Sequence, residues 1–196
     1  MWQYSTPGIP DEFFERVDEV PITKEEVRAV QISKARLCPG QTVYDIGCGS
    51  GSLSIEAALQ IKPTGKVYSI DFDPNAIELT KKNLAKFQIS NVNVILGNAN
   101  EKIVSLPPAD AIFIGGTGGD TAGIVKLCEA NLKQGGRIVI GTILIETLFS
   151  VLDVIDKLKF SSVDITQITI SKSRKTSTGT MMLARNPITI ISATKI

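Results

Sequence analysis

The chain has 196 residues, 43% hydrophobic and 21% charged, the usage of a globular protein long enough for a sizeable core. A net charge of +1 excludes a bulk electrostatic drive toward nucleic acid or membrane, and the absence of histidine excludes Ser-His-Asp and His-zinc hydrolysis. Three scattered cysteines (Cys38, Cys48, Cys128) build neither a disulfide framework nor a metal site, and neither a membrane span nor a signal peptide is legible, so a single cytoplasmic domain over residues 1–196 is expected.

Residues 1–20 are rich in proline and acidic side chains. Asp11 is a candidate cap for a short helix carrying Phe13, Phe14 and Val17; the segment reads either as an extension packed on the domain or as a lid over its site. Thr23 and Glu26 have capping-box spacing ahead of Val27, Val30 and Ile32, and Pro39-Gly40 ends that helix. Thr42 to Ile46, β-branched and aromatic, reads as a buried strand. Gly47, Gly49 and Gly51 follow it, and an apolar-periodic helix from Leu53 to Ile61 begins at once. Glycines in such a turn accept positive φ and let a ligand approach the backbone, while the amides opening the next helix point at that ligand.

A second strand, Lys66 to Ile70, ends in Asp71, and Pro74 opens a helix whose apolar face is Ala76, Ile77, Leu79, Thr80, Leu84 and Phe87. Asn91 to Leu96 is a third strand, ending at Gly97-Asn98-Ala99. Ala109 to Ile114 is a fourth, ending in Gly115-Gly116-Thr117-Gly118-Gly119. Asp120 caps a helix to about Leu132, Arg137 to Gly141 is a fifth strand, and Ile145 to Leu158 a further helix. Repeated βα units with short loops predict a parallel sheet covered on both faces, binding ligands outside the strand carboxyl ends. Asp45, Asp71, Asn98 and Gly115 all fall on that edge. Val163 to Ser171 and Thr180 to Arg185 read as an antiparallel hairpin, with a β-bulge where the apolar phase shifts from Val163 and Ile165 to Ile168 and Ile170. The loop between them, Lys172 to Ser177, reaches the ligand edge if the first of these strands is parallel to the others.

A dinucleotide fingerprint would place its third glycine at position 52; Ser52 stands there, and the pattern from Asp45 is D-x-G-x-G-x-G. Twenty residues past Gly51, Asp71 is placed to accept the ribose hydroxyls of a nucleoside. Together these features resemble the S-adenosylmethionine (AdoMet) site of class I methyltransferases. The resemblance implies a Rossmann-like α/β fold, a mostly parallel seven-stranded sheet with an antiparallel C-terminal hairpin and helices on both faces. It divides the chain into an N-terminal extension and helix (1–40), an AdoMet-binding core (41–160) and a substrate-side segment (161–196). Enzymes that methylate base amines resemble one another in an Asn/Asp-Pro-Pro-aromatic motif after the fourth strand. The Gly115–Gly119 run offers backbone amides and space instead, which suits a large, flat or anionic acceptor.

Five segments taken together resemble the decarboxylating cobalt-precorrin-6B carbon-15 methyltransferases of cobalamin biosynthesis. They are Gly8-Ile9-Pro10-Asp11, Pro21-Ile22-Thr23-Lys24, the loop from Asp45 to Gly51, Gly115-Gly116-Thr117-Gly118-Gly119, and Gly179-Thr180-Met181-Met182 running on to Arg185-Asn186-Pro187. This resemblance implies AdoMet as cofactor, a tetrapyrrole substrate and a homo-oligomer, a tetramer. Carried over by position, it assigns cofactor contacts to Thr23, Gly47, Cys48, Gly49, Ser50, Gly51, Asp71 and Ala99, and Asp45, Phe72, Asn98 and Gly115, at the same ends of the strands, are further candidate cofactor contacts. Where the family usually has aspartate facing the adenine amine, this chain has Asn98, whose carbonyl oxygen can still accept. Acceptor contacts fall to Gly116, Thr117, Gly118 and Gly119, with Arg174, Lys175 and Arg185 pairing peripheral carboxylates. Thr117 and Glu146 are placed at the reacting centre. Glu146 reads equally as a proton-managing group or as a helix-start carboxylate favoured by the dipole. Two other readings share the AdoMet half: an RNA or protein methyltransferase, which near-neutral charge disfavours for RNA, and a non-catalytic AdoMet-binding subunit.

Overall fold

The computed structural model describes residues 2–196. After a 3-10 turn at Asp11–Phe13 and helix α1 (Glu25–Ala35), strand and helix alternate. They are β1 (Thr42–Ile46), α2 (Ser52–Gln60), β2 (Lys66–Asp71), α3 (Pro74–Phe87), β3 (Val92–Leu96), the short α4 (Ala99–Lys102), β4 (Ala109–Ile114), α5 (Thr121–Asn131), β5 (Leu132–Thr142) and α6 (Ile145–Lys157). The chain closes with β6 (Ser161–Ile168), β7 (Ser171–Lys175), β8 (Thr180–Ala184) and β9 (Ile188–Thr194). Asp73 and Asp120 cap α3 and α5 by accepting from Asn75 and Gly123 amides, with Pro74 in the first turn of α3 where its missing N–H costs nothing.

Seven strands form one sheet in the order β3-β2-β1-β4-β5-β9-β6. The first five pair in parallel and β9 runs antiparallel between β5 and β6, so β6 points the same way as β5. Alternation along the strands sends side chains to two cores. Tyr44, Ile46, Ile112, Ile114 and Ile138 pack beneath α5 and α6, whereas Val43, Val67, Ala111, Phe113 and Val139 pack beneath α1, α2 and α3. Strand order reverses between β1 and β4, which opens a crevice at their carboxyl ends.

Four expectations need correction. Thr23 does not cap α1: Lys24 holds the N-cap position without a side-chain bond, and Glu26 turns to Lys172 at 2.7 Å instead of back to the helix start. The helix stops at Ala35 on a left-handed Arg36, before Pro39-Gly40. The C-terminal strands are also divided differently. β7 pairs with β8 as a separate two-stranded hairpin, so Lys172–Lys175 is strand, and the antiparallel strand of the main sheet is β9. The irregularity of β6 lies between Ser161 and Asp164, with Ser162 at positive φ, earlier than the apolar phase predicts. In this edge strand Asp164 and Thr166 turn inward, Asp164 paired with Lys34, while Val163 and Ile165 face outward.

The N-terminal segment packs as an extension. Arg28, completely buried on α1, donates from Nε to Glu56 (2.9 Å) and from Nη1 to Asp11 (3.0 Å), and also bonds the carbonyls of Ile9 and Thr23. Glu56, on α2, accepts the Gly8 and Ile9 amides at 2.8 and 2.9 Å. Phe14 lies 4.7 Å under the guanidinium and stacks on Phe87, and Asn83 accepts the Glu15 amide. Residues 8–15 are thereby strapped across α1, α2 and α3.

Candidate active site

The chain leaves β1 toward β2: the Gly47 and Cys48 amides both donate to the Ile70 carbonyl, at 2.9 and 3.2 Å. Gly47, Gly49 and Gly51 have φ of 72°, 54° and 73°, the region that favours glycine. Their missing Cβ atoms make room for the protein itself. A Cβ on Gly47 would collide with the Gly116 carbonyl, on Gly49 it would lie 2.8 Å from the Pro21 carbonyl oxygen, and on Gly51 2.8 Å from Thr80. The alternating glycines thus seat the loop against β4's exit, the segment before α1, and α3.

Asp71 ends β2 beside this loop. Its Oδ2 accepts the Gly49 amide at 2.9 Å and its Oδ1 the Asp73 amide at 3.0 Å. A carboxylate offers about four lone-pair sites, so acceptor capacity remains on the side open to solvent. That side is a cavity of about 250 Å³ in the crevice between the ends of β1, β2 and β4. Of the sequence-predicted residues, Gly47, Asp71, Phe72, Asn98, Ala99, Gly116, Thr117 and Gly118 line it together. Phe72 is 63% exposed, presenting an apolar ring next to Asp71. Gly116 and Gly119 have nothing within 4 Å of where a Cβ would stand, and Gly118 only the Phe72 ring. Gly115 is tied to β1 through its amide on the Ile46 carbonyl at 2.8 Å. The Thr117 hydroxyl lies 2.6 Å from that of Thr121 in the first turn of α5.

Other predicted residues lie outside the cavity wall. Asp45, 2% exposed, is below the loop, where it accepts from Ser54, which in turn accepts from Ser69 at 2.7 Å. Burial pushes its carboxyl up to about 6, against the Ser54 hydrogen bond and with help from the Asp71 charge. Cys48 is buried with its Sγ 3.6 Å from the Thr80 hydroxyl; burial, then the nearby Asp45 charge, raises its thiol well above the usual range, so it stays protonated and inert. Ser50 is buried with its hydroxyl unpartnered. Thr23 stands in the segment that presses Pro21 onto Gly49, with its carbonyl bonded to Arg28.

Asn98 caps α4: its Oδ1 accepts the Asn100 amide at 3.1 Å, so the oxygen expected to face a base already serves the helix with one lone pair. Glu146 is exposed in the first turn of α6, away from the cavity wall, among Ile143, Leu144, Ile145 and Phe149, each at least 58% exposed. Arg174 and Lys175 are neighbours in β7, and Arg185 follows β8 with Nη1 3.9 Å from Asp11. Sequence reasoning missed the Ile46, Ile70, Gly97 and Ile124 side of the wall. It also missed the Arg28–Glu56 pair, whose one signal is a lone acid, Glu56, inside the apolar run Leu53 to Leu59.

Residues 12–195 match the family model described as a precorrin methyltransferase domain. A protein of Saccharolobus solfataricus described as "probable cobalt-precorrin-6B C(15)-methyltransferase (decarboxylating)" is 44% identical, covering 99% of this chain and 98% of its own. A solved precorrin-6Y C5,15-methyltransferase structure from Geobacter metallireducens superposes with a TM-score of 0.90 at 33% identity, covering 98% of this chain and 100% of that one. The structure of a protein from Methanobacterium thermoautotrophicum described as precorrin 8W decarboxylase gives a TM-score of 0.89 at 35% identity, over 94% and 98% of the two chains.

Proposed function

The chain belongs to the precorrin methyltransferase family, and from that premise we propose that it methylates carbon 15 of cobalt-precorrin-6B and removes the ring C acetate carboxyl as CO2, giving cobalt-precorrin-7 in cobalamin biosynthesis. The observation that carries this reading is the cavity at the β1–β4 crevice, whose wall includes both the Asp71 carboxylate and the open Gly116–Gly118 run.

The residues present fit AdoMet. Asp71 keeps lone pairs for the ribose hydroxyls, Phe72 gives an apolar face to the base, and Asn98 and Ala99 border the base edge. When bound, AdoMet supplies an electrophilic methyl group. The loop's part is positional: Gly47 and Gly116, locked against each other, fix the floor on which acceptor and methyl must line up, and such alignment accounts for much of the rate in an in-line displacement. Glycine at 116, 118 and 119 leaves the mouth clear for a flat macrocycle and keeps backbone amides available to its carboxylates. An electron-rich bridging carbon would supply the electron pair for the new C–C bond as the methyl–sulfur bond breaks, its electron pair leaving on the sulfur of the S-adenosylhomocysteine product. When the carboxyl departs as CO2, the C–C pair returns to the conjugated ring, so no strong base is needed. The remaining methylene takes up a proton, from solvent or from Glu146, which lies off the cavity wall in the first turn of α6, beyond β5 on the same edge. Asp45, Cys48, Ser50 and Gly51 act from beneath, by shaping the loop.

A single-domain, cytoplasmic homotetramer belongs to the same proposal; the exposed Ile143, Leu144, Ile145 and Phe149 give it apolar surface to cover. Among the described residues no helix is long and apolar enough to cross a membrane. The test is anaerobic incubation with AdoMet and cobalt-precorrin-6B, read by mass spectrometry against a control containing S-adenosylhomocysteine. A product that gains one methyl and loses CO2 only with AdoMet is expected. An unchanged tetrapyrrole, with AdoMet bound, would remove the proposed acceptor.

A further inference from the structure

The β7–β8 hairpin joins the carboxyl end of β6 to the start of β9, so it rises from the sheet edge that carries the cavity. Two strands alone bury too little to hold themselves in place. Here charge holds the base. The Arg185 amide donates to the Ile170 carbonyl at 2.9 Å, extending the ladder one step beyond the Ser171–Ala184 pair. Paired residues share a face, and faces alternate along each strand. One face therefore carries Ile170 with Arg185, Lys172 with Leu183, and Arg174 with Met181. The other carries Ser173 with Met182 and Lys175 with Thr180.

Contacts identify the first as the inward face. Ile170 packs against the core beneath α1, Arg185 approaches Asp11, and Lys172 pairs with Glu25 and, at 2.7 Å, with Glu26. Those two acids hold the ammonium above the ordinary lysine range. The same N-terminal region presses Pro21 onto Gly49, so this face is tied to the cofactor-loop side of the molecule. Lys172 is thus already matched to protein carboxylates, whereas Arg185, its Nη1 buried without a hydrogen-bond partner and 3.9 Å from Asp11, is held at the hairpin base by charge alone. Arg174, among the described residues, has no carboxylate within ion-pairing distance, and it stands beside Met181 and Leu183, which are 47% and 46% exposed.

We propose that Arg174, Met181 and Leu183 form the face that recognises the acceptor. The guanidinium takes one peripheral carboxylate bidentately, and the two apolar side chains lie along the ring. Lys175, on the opposite face, takes no part in this proposal. The proposal rests on the functional reading above and names the residue that reads the substrate's carboxylates.

R174Q, R174K and K175Q are compared in cobalt-precorrin-6B turnover, in AdoMet binding by calorimetry, and in binding of uroporphyrin, an octacarboxylic probe that needs no turnover. R174Q raises the acceptor KM and the uroporphyrin Kd about tenfold, with kcat and AdoMet affinity unchanged. R174K falls between, keeping the charge without the fork, and K175Q shifts either value by no more than about twofold. An unaffected R174Q, or a K175Q as impaired as R174Q, overturns the assignment. Wild-type protein that binds uroporphyrin through Arg174 yet leaves cobalt-precorrin-6B unchanged overturns the functional reading and leaves this one standing.

Discussion

Two carboxylates at the ends of adjacent strands have opposite fates. Asp71 takes two backbone amides and keeps a side open to the cavity; Asp45 is shut beneath the loop with a serine for company. D71N replaces an ionic acceptor with an amide whose NH2 opposes one of those backbone donors. The variant is expected to bind AdoMet about 10- to 100-fold more weakly by calorimetry, the range for a hydrogen bond to a charged group; an unchanged Kd would dissociate Asp71 from the cofactor. For Asp45 the sign is the reverse of the usual carboxylate. Its carboxyl titrates near 6 in the folded protein against 3.8 as the ordinary value, so the native state holds the extra proton between those limits and stability falls as pH rises through them. D45N removes that slope. Relative to D45N, wild type is expected to lose about 2 kcal/mol of unfolding free energy between pH 4 and 7, measured by urea titration; parallel pH profiles would show that Asp45 ionises freely. Asp71 was legible from spacing alone. The burial of Asp45 was not, because a strand-end carboxylate has two directions available and Ser54, one turn into α2, decides between them.

Among the elements, the βα core from Thr42 to Lys157 was readable because each strand is a short apolar run punctuated by glycine, proline or a capping acid. The C-terminal strands were not. β6 is an edge strand whose inward positions are Asp164, Thr166 and Ile168, so hydrophobic phase misreports its faces. β9, apolar at Ile188, Ile190, Ile191 and Ala193, is buried on both sides and carries no alternation to read. Residues 1–20 read from sequence as either extension or lid, and the buried Arg28–Glu56–Asp11 cluster holds residues 8–15 down as an extension. R28M strands two carboxylates in the interior and is expected to cost about 3–5 kcal/mol, measured by urea unfolding. A loss below about 1 kcal/mol, the surface-pair range, would mean the cluster is solvated in solution.

Over the whole molecule, strand order brings the groups of the proposed chemistry to one edge. The β1–β4 crevice holds the cavity, Glu146 follows β5 in the first turn of α6, and β6, running the same way, leads into the hairpin with Arg174. A near-neutral chain can still present an anion-seeking group in this way: within the hairpin Lys172 is paired with Glu25 and Glu26, while Arg174 has no carboxylate within ion-pairing distance among the described residues. Methyl transfer and decarboxylation are proposed to share that edge, and their stoichiometry is the most direct test. Under anaerobic single-turnover conditions with isotopically methyl-labelled AdoMet and cobalt-precorrin-6B, methyl incorporated and CO2 released are counted in the same sample. Equal amounts, released together, are predicted. Methyl incorporation without CO2, or CO2 without incorporation, would contradict a common site for the two steps.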